Sequence, residues 1–206
     1  MKKTIVFLLI IFVLVVKTEA QLKLPALLSS NMVLQRNTEV NLWGESAPHS
    51  KVTISTSWDN KEYFVKSDHQ GKWRTKVNTV DAGGPYKIIF KVDDESIALD
   101  NVLLGEVWIV SGQSNMEMPM GGFMYQPIDN SLDNIIESNQ YPNIRLFTVP
   151  IKSSEKPLYD CESEWHVSSP KSVTNFSAVG YFFGKTISKV LNIPIGLISS
   201  TWGDPI

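Results

Sequence analysis

Cysteine is nearly absent from this chain of 206 residues. Cys161 is the only one, so an internal disulfide and a cysteine-based metal centre are both excluded. It lies in the polar stretch YDCESEW, with no histidine at a recognisable spacing, and reads as incidental. Histidine is scarce too. His49, His69 and His166 are the three present, and each falls in a turn or a connecting stretch that reads as surface. Positive charge is not in excess: 19 Lys and Arg stand against 21 Asp and Glu, a formal net charge of −2. That excludes the basic face with which a nucleic-acid binder neutralises phosphates. There is no internal repeat and no low-complexity tract. After the first twenty residues, no apolar run has the length needed to cross a bilayer.

The N-terminus carries a distinct unit. Lys2 and Lys3 precede the apolar run TIVFLLIIFVLVV at 4–16, and Lys17-Thr18-Glu19-Ala20 follows, ending on a small residue. A short apolar segment with a positive start and a small residue at its end is the pattern of a cleaved secretory signal. Residues 1–20 are expected to be removed, leaving a mature chain from near Gln21 in a secreted or periplasmic location, with no membrane attachment after cleavage.

From 24 to 102 the pattern is period two. Val40 and Leu42, Val52 and Ile54, Trp73, Thr75 and Val77, then Tyr86, Ile88, Phe90 and Val92 alternate with polar residues, which predicts strands with one buried face. Ser46-Ala47-Pro48, Asp59-Asn60, His69-Gln70-Gly71 and Gly83-Gly84-Pro85 mark the turns between them. Short strands at this spacing predict an antiparallel β-sandwich over 21–102. Trp58 and Trp73 are read there chiefly as core, with a sugar-stacking surface as the alternative. From 103 the pattern changes. EVWIV at 106–110 predicts a strand buried on both faces, with further strands at 144–149 and 195–199. Helices are predicted at 129–139, with Leu132, Ile135 and Ile136 on one face, and at 175–191, with Phe176, Val179, Phe183, Ile187, Val190 and Leu191 on another. Ser172 or Thr174 would cap the second, and Asn192 with Pro194 would stop it. Strands alternating with helices imply a parallel α/β sheet, here the opening of such a domain over 103–206.

The chemistry concentrates at VSGQSNMEMP, 110–119, directly after the EVWIV strand. Catalytic groups of open α/β sheets gather at the carboxyl ends of strands. Gly112 allows close backbone approach, and Ser114 presents a hydroxyl on the turn. Nucleophilic attack on an ester needs such a hydroxyl, together with donors aimed at the developing charge. Glu117 and Asn115 have bland readings as well, as a solvated carboxylate and a loop-stabilising amide.

The longer string LLGEVWIVSGQSNMEMP at 103–119 resembles the first block of the sialate O-acetylesterase family, of the SGNH type. FSAVGYFFGKTI at 176–187, IPIGLISSTWGDPI at 193–206 and the opening LPALLSSNMVLQR at 24–36 resemble further stretches of it in order. The resemblance implies an N-terminal portion of such an enzyme: a β-sandwich, then the start of a flavodoxin-like α/β domain, truncated. It implies hydrolysis of acetyl esters on sugars, sialic acids foremost, with Ser114 as nucleophile and no cofactor or metal. Ser114 and Gly203 fall on the family's oxyanion-hole positions, and Gln113, Asn115 and Glu117 are candidates for positioning substrate or loop. The chain departs from the pattern in two places. Gly203-Asp204-Pro205 stands where the family has Gly-Gly-Thr-Pro, which brings a carboxylate toward the oxyanion position. The family's catalytic Asp and His have no counterpart in this sequence. Two other readings follow: a non-catalytic fragment or carbohydrate-binding sandwich module, and an acetylxylan-type esterase.

Overall fold

The computed structural model describes residues 21–203, so the signal expected at 1–20 and the carboxylate of Asp204 lie outside the described residues. Alternation in the first part of the chain becomes strands β1 (Val33–Gln35), β2 (Glu39–Glu45), β3 (Lys51–Thr56), β4 (Lys61–Lys66), β5 (Lys72–Asn78) and β6 (Gly83–Val92), followed by β7 (Glu95–Gly112). β2 and β5 pair antiparallel, Leu42 opposite Thr75. They face a larger sheet in which β4, β3, β6 and β7 are neighbours and β1 runs parallel to β7. Leu42 and Trp73 from one sheet share a core with Val52, Ile54, Ile88, Phe90 and Leu104 from the other. Each fully buried aliphatic side chain of this kind contributes ~1.5–3 kcal/mol. Trp73 is 3% exposed, so it is core and offers no face to a sugar.

The second half adds α1 (Ser114–Glu117), α2 (Ser131–Glu137) with a 3-10 turn at Ser138–Gln140, β8 (Ile144–Thr148), β9 (His166–Val167), α3 (Pro170–Thr174), α4 (Ala178–Leu191) and β10 (Ile195–Thr201). β10 lies between β7 and β8, parallel to both, with Ile198 opposite Ile109 and Phe147. The boundary expected at 102/103 falls inside β7. This one strand pairs with β6 over 95–104, with β1 over 103–105 and with β10 over 106–112. The antiparallel and parallel parts therefore share a strand, with no linker between them.

Four local expectations are corrected. EVWIV is not buried on both faces, because Trp108 is 43% and Ile109 72% exposed. Over 106–112 β10 covers one edge of β7, while no strand among the described residues covers the other. The helix predicted at 175–191 is α4, which starts at Ala178 and is capped by Ser177 accepting the Gly180 N–H. Ser172 and Thr174, the caps expected, belong instead to the preceding short helix α3, where Ser169 forms a capping box with Ser172. The buried face of α4 is also not the bulky stripe. Ala178, Gly180, Tyr181, Gly184 and Lys185 face inward, while Val179, Phe183, Val190 and Leu191 are exposed. The glycines let the helix axis come close to the sheet. A Cβ at Gly180 would lie 2.9 Å from Val110, and one at Gly184 2.6 Å from Leu197. Of the stripe predicted on α2, Ile135 packs against the core, while Leu132 and Ile136 are exposed.

Polar ties fasten the two parts. Arg145, on β8, is buried and pairs with no carboxylate among the described residues. Its Nε donates to Pro142 O and its Nη atoms to Asn31 O and Asn101 Oδ1 across the junction, and burial lowers its pKa. Glu106, at the point where β7 changes partners, accepts from Gln35 Nε2 at 2.8 Å and Arg36 Nε at 2.9 Å. The Gln35 bond first, then that from Arg36, holds its carboxyl below the usual range. The sign follows from the depressed folded value: this stabilisation is complete above the unfolded pKa of about 4.3 and is lost as pH falls through the folded pKa. Glu106→Gln is therefore expected to flatten the acid limb of urea midpoints measured between about pH 2 and 6. Gly105→Ala would set a Cβ 2.0 Å from the backbone oxygen of Pro194. It should cost at least ~1–3 kcal/mol in the same unfolding assay.

Candidate active site

The turn after β7 is built for close approach. Gly112 has φ +154° and abuts Met116. Gln113 follows in extended conformation, and its carbonyl accepts the Met116 and Glu117 N–H groups, both at 2.9 Å, which starts α1. Ser114 is the first helical residue and is half-buried, while Gln113 and Asn115 point to solvent. The far end of the loop is pinned to the entry of α4. Ala178 N–H donates to Met118 O, and Met120 and Gly121 donate to Phe176 O and Thr174 O. The stretch 174–178 therefore works as a clamp on the serine loop.

The second loop arrives through sheet register. Because Thr201 pairs with Gly112, β10 and β7 end at the same level and their loops leave side by side. Trp202 N–H donates to Gly112 O at 3.0 Å. Gly203 then lies against the serine: a Cβ there would be 3.0 Å from both Ser114 Cα and Ser114 Oγ. Its N–H donates to Glu117 Oε2. Ser114, Glu117 and Gly203 thus form one cluster of a hydroxyl, a carboxylate and a backbone amide at the carboxyl ends of two parallel strands. This is where an α/β sheet places its reacting groups.

Comparison with known proteins settles the relationship. The chain matches no family model. It is 30% identical to the sialate O-acetylesterase of Mus musculus over 190 residues, which is 84% of this chain and 34% of that protein. It is 27% identical to the Homo sapiens enzyme of the same name over 193 residues, 85% of this chain and 36% of that one. By sequence, the chain belongs with the sialate O-acetylesterase family. A crystal structure described as a novel carbohydrate acetylesterase from Xanthomonas citri superposes with a TM-score of 0.81 at 34% identity, covering 88% of this chain and 40% of that one. This member of the family thus spans about a third of the length of the curated relatives it matches.

The family's other catalytic groups are not assembled here by the described residues. His49 and His69 sit in turns of the antiparallel part, far along the chain from the parallel strands. His166 is exposed on β9, opposite Leu146. Leu146 is level with Trp108, six residues before Ser114, and β9 lies beyond β10 and β8 from β7. No group of three or more His, Cys, Asp or Glu is placed to hold a metal among the described residues. A groove of ≈ 790 Å³ lined by Trp43, Phe147, Tyr159 and Ile198 does not include Ser114. Cys161 also lines it, its thiol pKa raised by burial and then by Asp160.

Sequence reasoning named Gly203 and Glu117 separately and missed that they bond each other, 86 residues apart. The signal was the parallel register of 195–201 with 106–112. Gly203→Ala should push the 201–203 segment off the serine loop while leaving the sheets intact. The expected result is amide shift changes at Ser114 and Glu117 in a heteronuclear spectrum and none in β2–β6.

Proposed function

We propose that this chain is part of a secreted carbohydrate O-acetylesterase that removes acetyl groups from sugars, sialic acids first among them, through an acyl-enzyme on Ser114. The observation that carries the reading is the placement of Ser114 Oγ against Gly203 at the ends of β7 and β10 in a chain related to sialate O-acetylesterases. Secretion rests on the signal pattern at 1–20.

In this mechanism Ser114 Oγ attacks the acetyl carbonyl carbon and gives up its proton to a base. The carbonyl oxygen becomes anionic and is received by the backbone N–H groups of Ser114 and Gly203. The C–O bond to the sugar breaks, the sugar oxygen takes the proton, and water then cleaves the acetyl-serine to acetate. We assign the base to an Asp–His pair outside residues 21–203, because a serine hydroxyl needs one and none of the three histidines adjoins Ser114.

The same reading covers the fold: a sandwich joined to the opening strands of an SGNH-type, flavodoxin-like domain. The uncovered edge of β7 over 106–112 is where the sheet would continue. Exposed Trp108, set edge-on to Phe183 at 5.1 Å, and exposed Ile109 would then be covered by added strand and helix. The Xanthomonas citri neighbour, a carbohydrate acetylesterase, keeps other acetylated sugars, acetylated xylan included, as the second reading for substrate.

The test is hydrolysis of O-acetylated sialic acid and acetylated xylo-oligosaccharide by the protein at its native length. Ser114→Ala should lower kcat/KM at least ~10³-fold, ~4 kcal/mol. Unchanged turnover in that variant would refute the reading, and preference for the xylo-oligosaccharide would shift the substrate to the second one.

A further inference from the structure

The Gly203 N–H, the amide best placed to meet an acyl oxygen at Ser114, is already engaged, and its acceptor is a carboxylate of the same chain. Glu117 Oε2 takes it. That oxygen would lie 2.5 Å from a Cβ on Gly203, a point that is 3.0 Å from Ser114 Oγ. The carboxylate and the serine hydroxyl thus border the same small space. The neighbouring Trp202 N–H is committed to Gly112 O, so it offers no substitute donor. Glu117 is the last residue of a four-residue helix and is half-buried. Among the described residues no Lys, Arg or His pairs with it. A single N–H cannot serve two acceptors at full strength, and a carboxylate is the stronger acceptor than a neutral ester carbonyl.

We propose that Glu117 is the resting occupant of the anion position beside Ser114. Its carboxylate holds the Gly203 N–H in place when the site is empty and is displaced when an acetyl group enters. The proposal rests on the reading of Gly203 N–H as an oxyanion donor. It makes Glu117 a positioning residue whose removal opens the site to small anions. Acetate, the product of the proposed reaction, is the probe because it carries the same carboxylate.

The experiment is a titration of the ¹⁵N-labelled chain with sodium acetate against sodium chloride at equal ionic strength, following the Gly203 and Ser114 amides. Wild type is compared with Glu117→Ala and Glu117→Gln. In Glu117→Ala the Gly203 amide proton should move upfield before acetate is added, and acetate should then bind at least about tenfold more tightly than to wild type. Glu117→Gln keeps an oxygen that can accept the N–H and nearly the same shape, so it should gain clearly less than the alanine variant. Unchanged acetate affinity in Glu117→Ala overturns the proposal, and so does an equal gain in both variants, which would assign the effect to charge alone. Because the titration needs no turnover, its outcome is separate from the fate of the esterase reading, which the Ser114→Ala assay decides.

Discussion

The pairing of β7 with β10 is the constraint on which everything at the site depends. β7 is long enough to serve two architectures in succession, antiparallel with β6 and then parallel with β10. The Ser114 loop and the Gly203 loop meet only because these strands run parallel and stop in register, Thr201 against Gly112. A shift of one residue would turn every side chain of β10 to the opposite face, burying Ile198 where Leu197 now packs on α4. Hydrophobic patterning in the sheet therefore fixes the position of a backbone amide near a hydroxyl. The junction is guarded accordingly: Gly105 has no room for a side chain beside Pro194, and Glu106 is held by Gln35 and Arg36.

The local electrostatics run against a simple oxyanion hole. The side chain that shares the Gly203 contact with Ser114 is a carboxylate, that of Glu117. A negative group at that point opposes developing negative charge, yet in an empty site it satisfies an amide that would otherwise be half-buried and unpaired. The same contact can thus stabilise the resting loop and compete with the proposed reaction. Arg145 follows a related logic in the fold, with a buried cation satisfied by carbonyl and amide oxygens and placed across the junction rather than at the site.

Strand placement was legible because period two is a local signal: the runs at 40–42, 52–54, 73–77 and 86–92 all lie in strands. The three parallel strands and the serine turn were legible from their apolar runs and the motif after EVWIV, but not the order that places β10 between β7 and β8. Helix faces were not. The pattern on α4 pointed to Val179, Phe183 and Val190, whereas the sheet receives Gly180 and Gly184. Small residues buried by close approach carry no hydrophobic signal, and bulky ones can line an open face. The burial of EVWIV was overestimated for a related reason, since apolar composition reports what a strand can bury and not whether a neighbour is present. The Glu117–Gly203 bond was illegible until the register of two distant strands was known.

The proposed mechanism requires Ser114 to be an activated nucleophile. The most direct measurement is covalent capture: the protein at its native length is incubated with a fluorophosphonate, and the adduct is mapped by peptide mass spectrometry. A single phosphonylated site is expected, at Ser114. A stoichiometric adduct on a different residue, or a protein that stays unlabelled while it hydrolyses an acetyl ester, would contradict it.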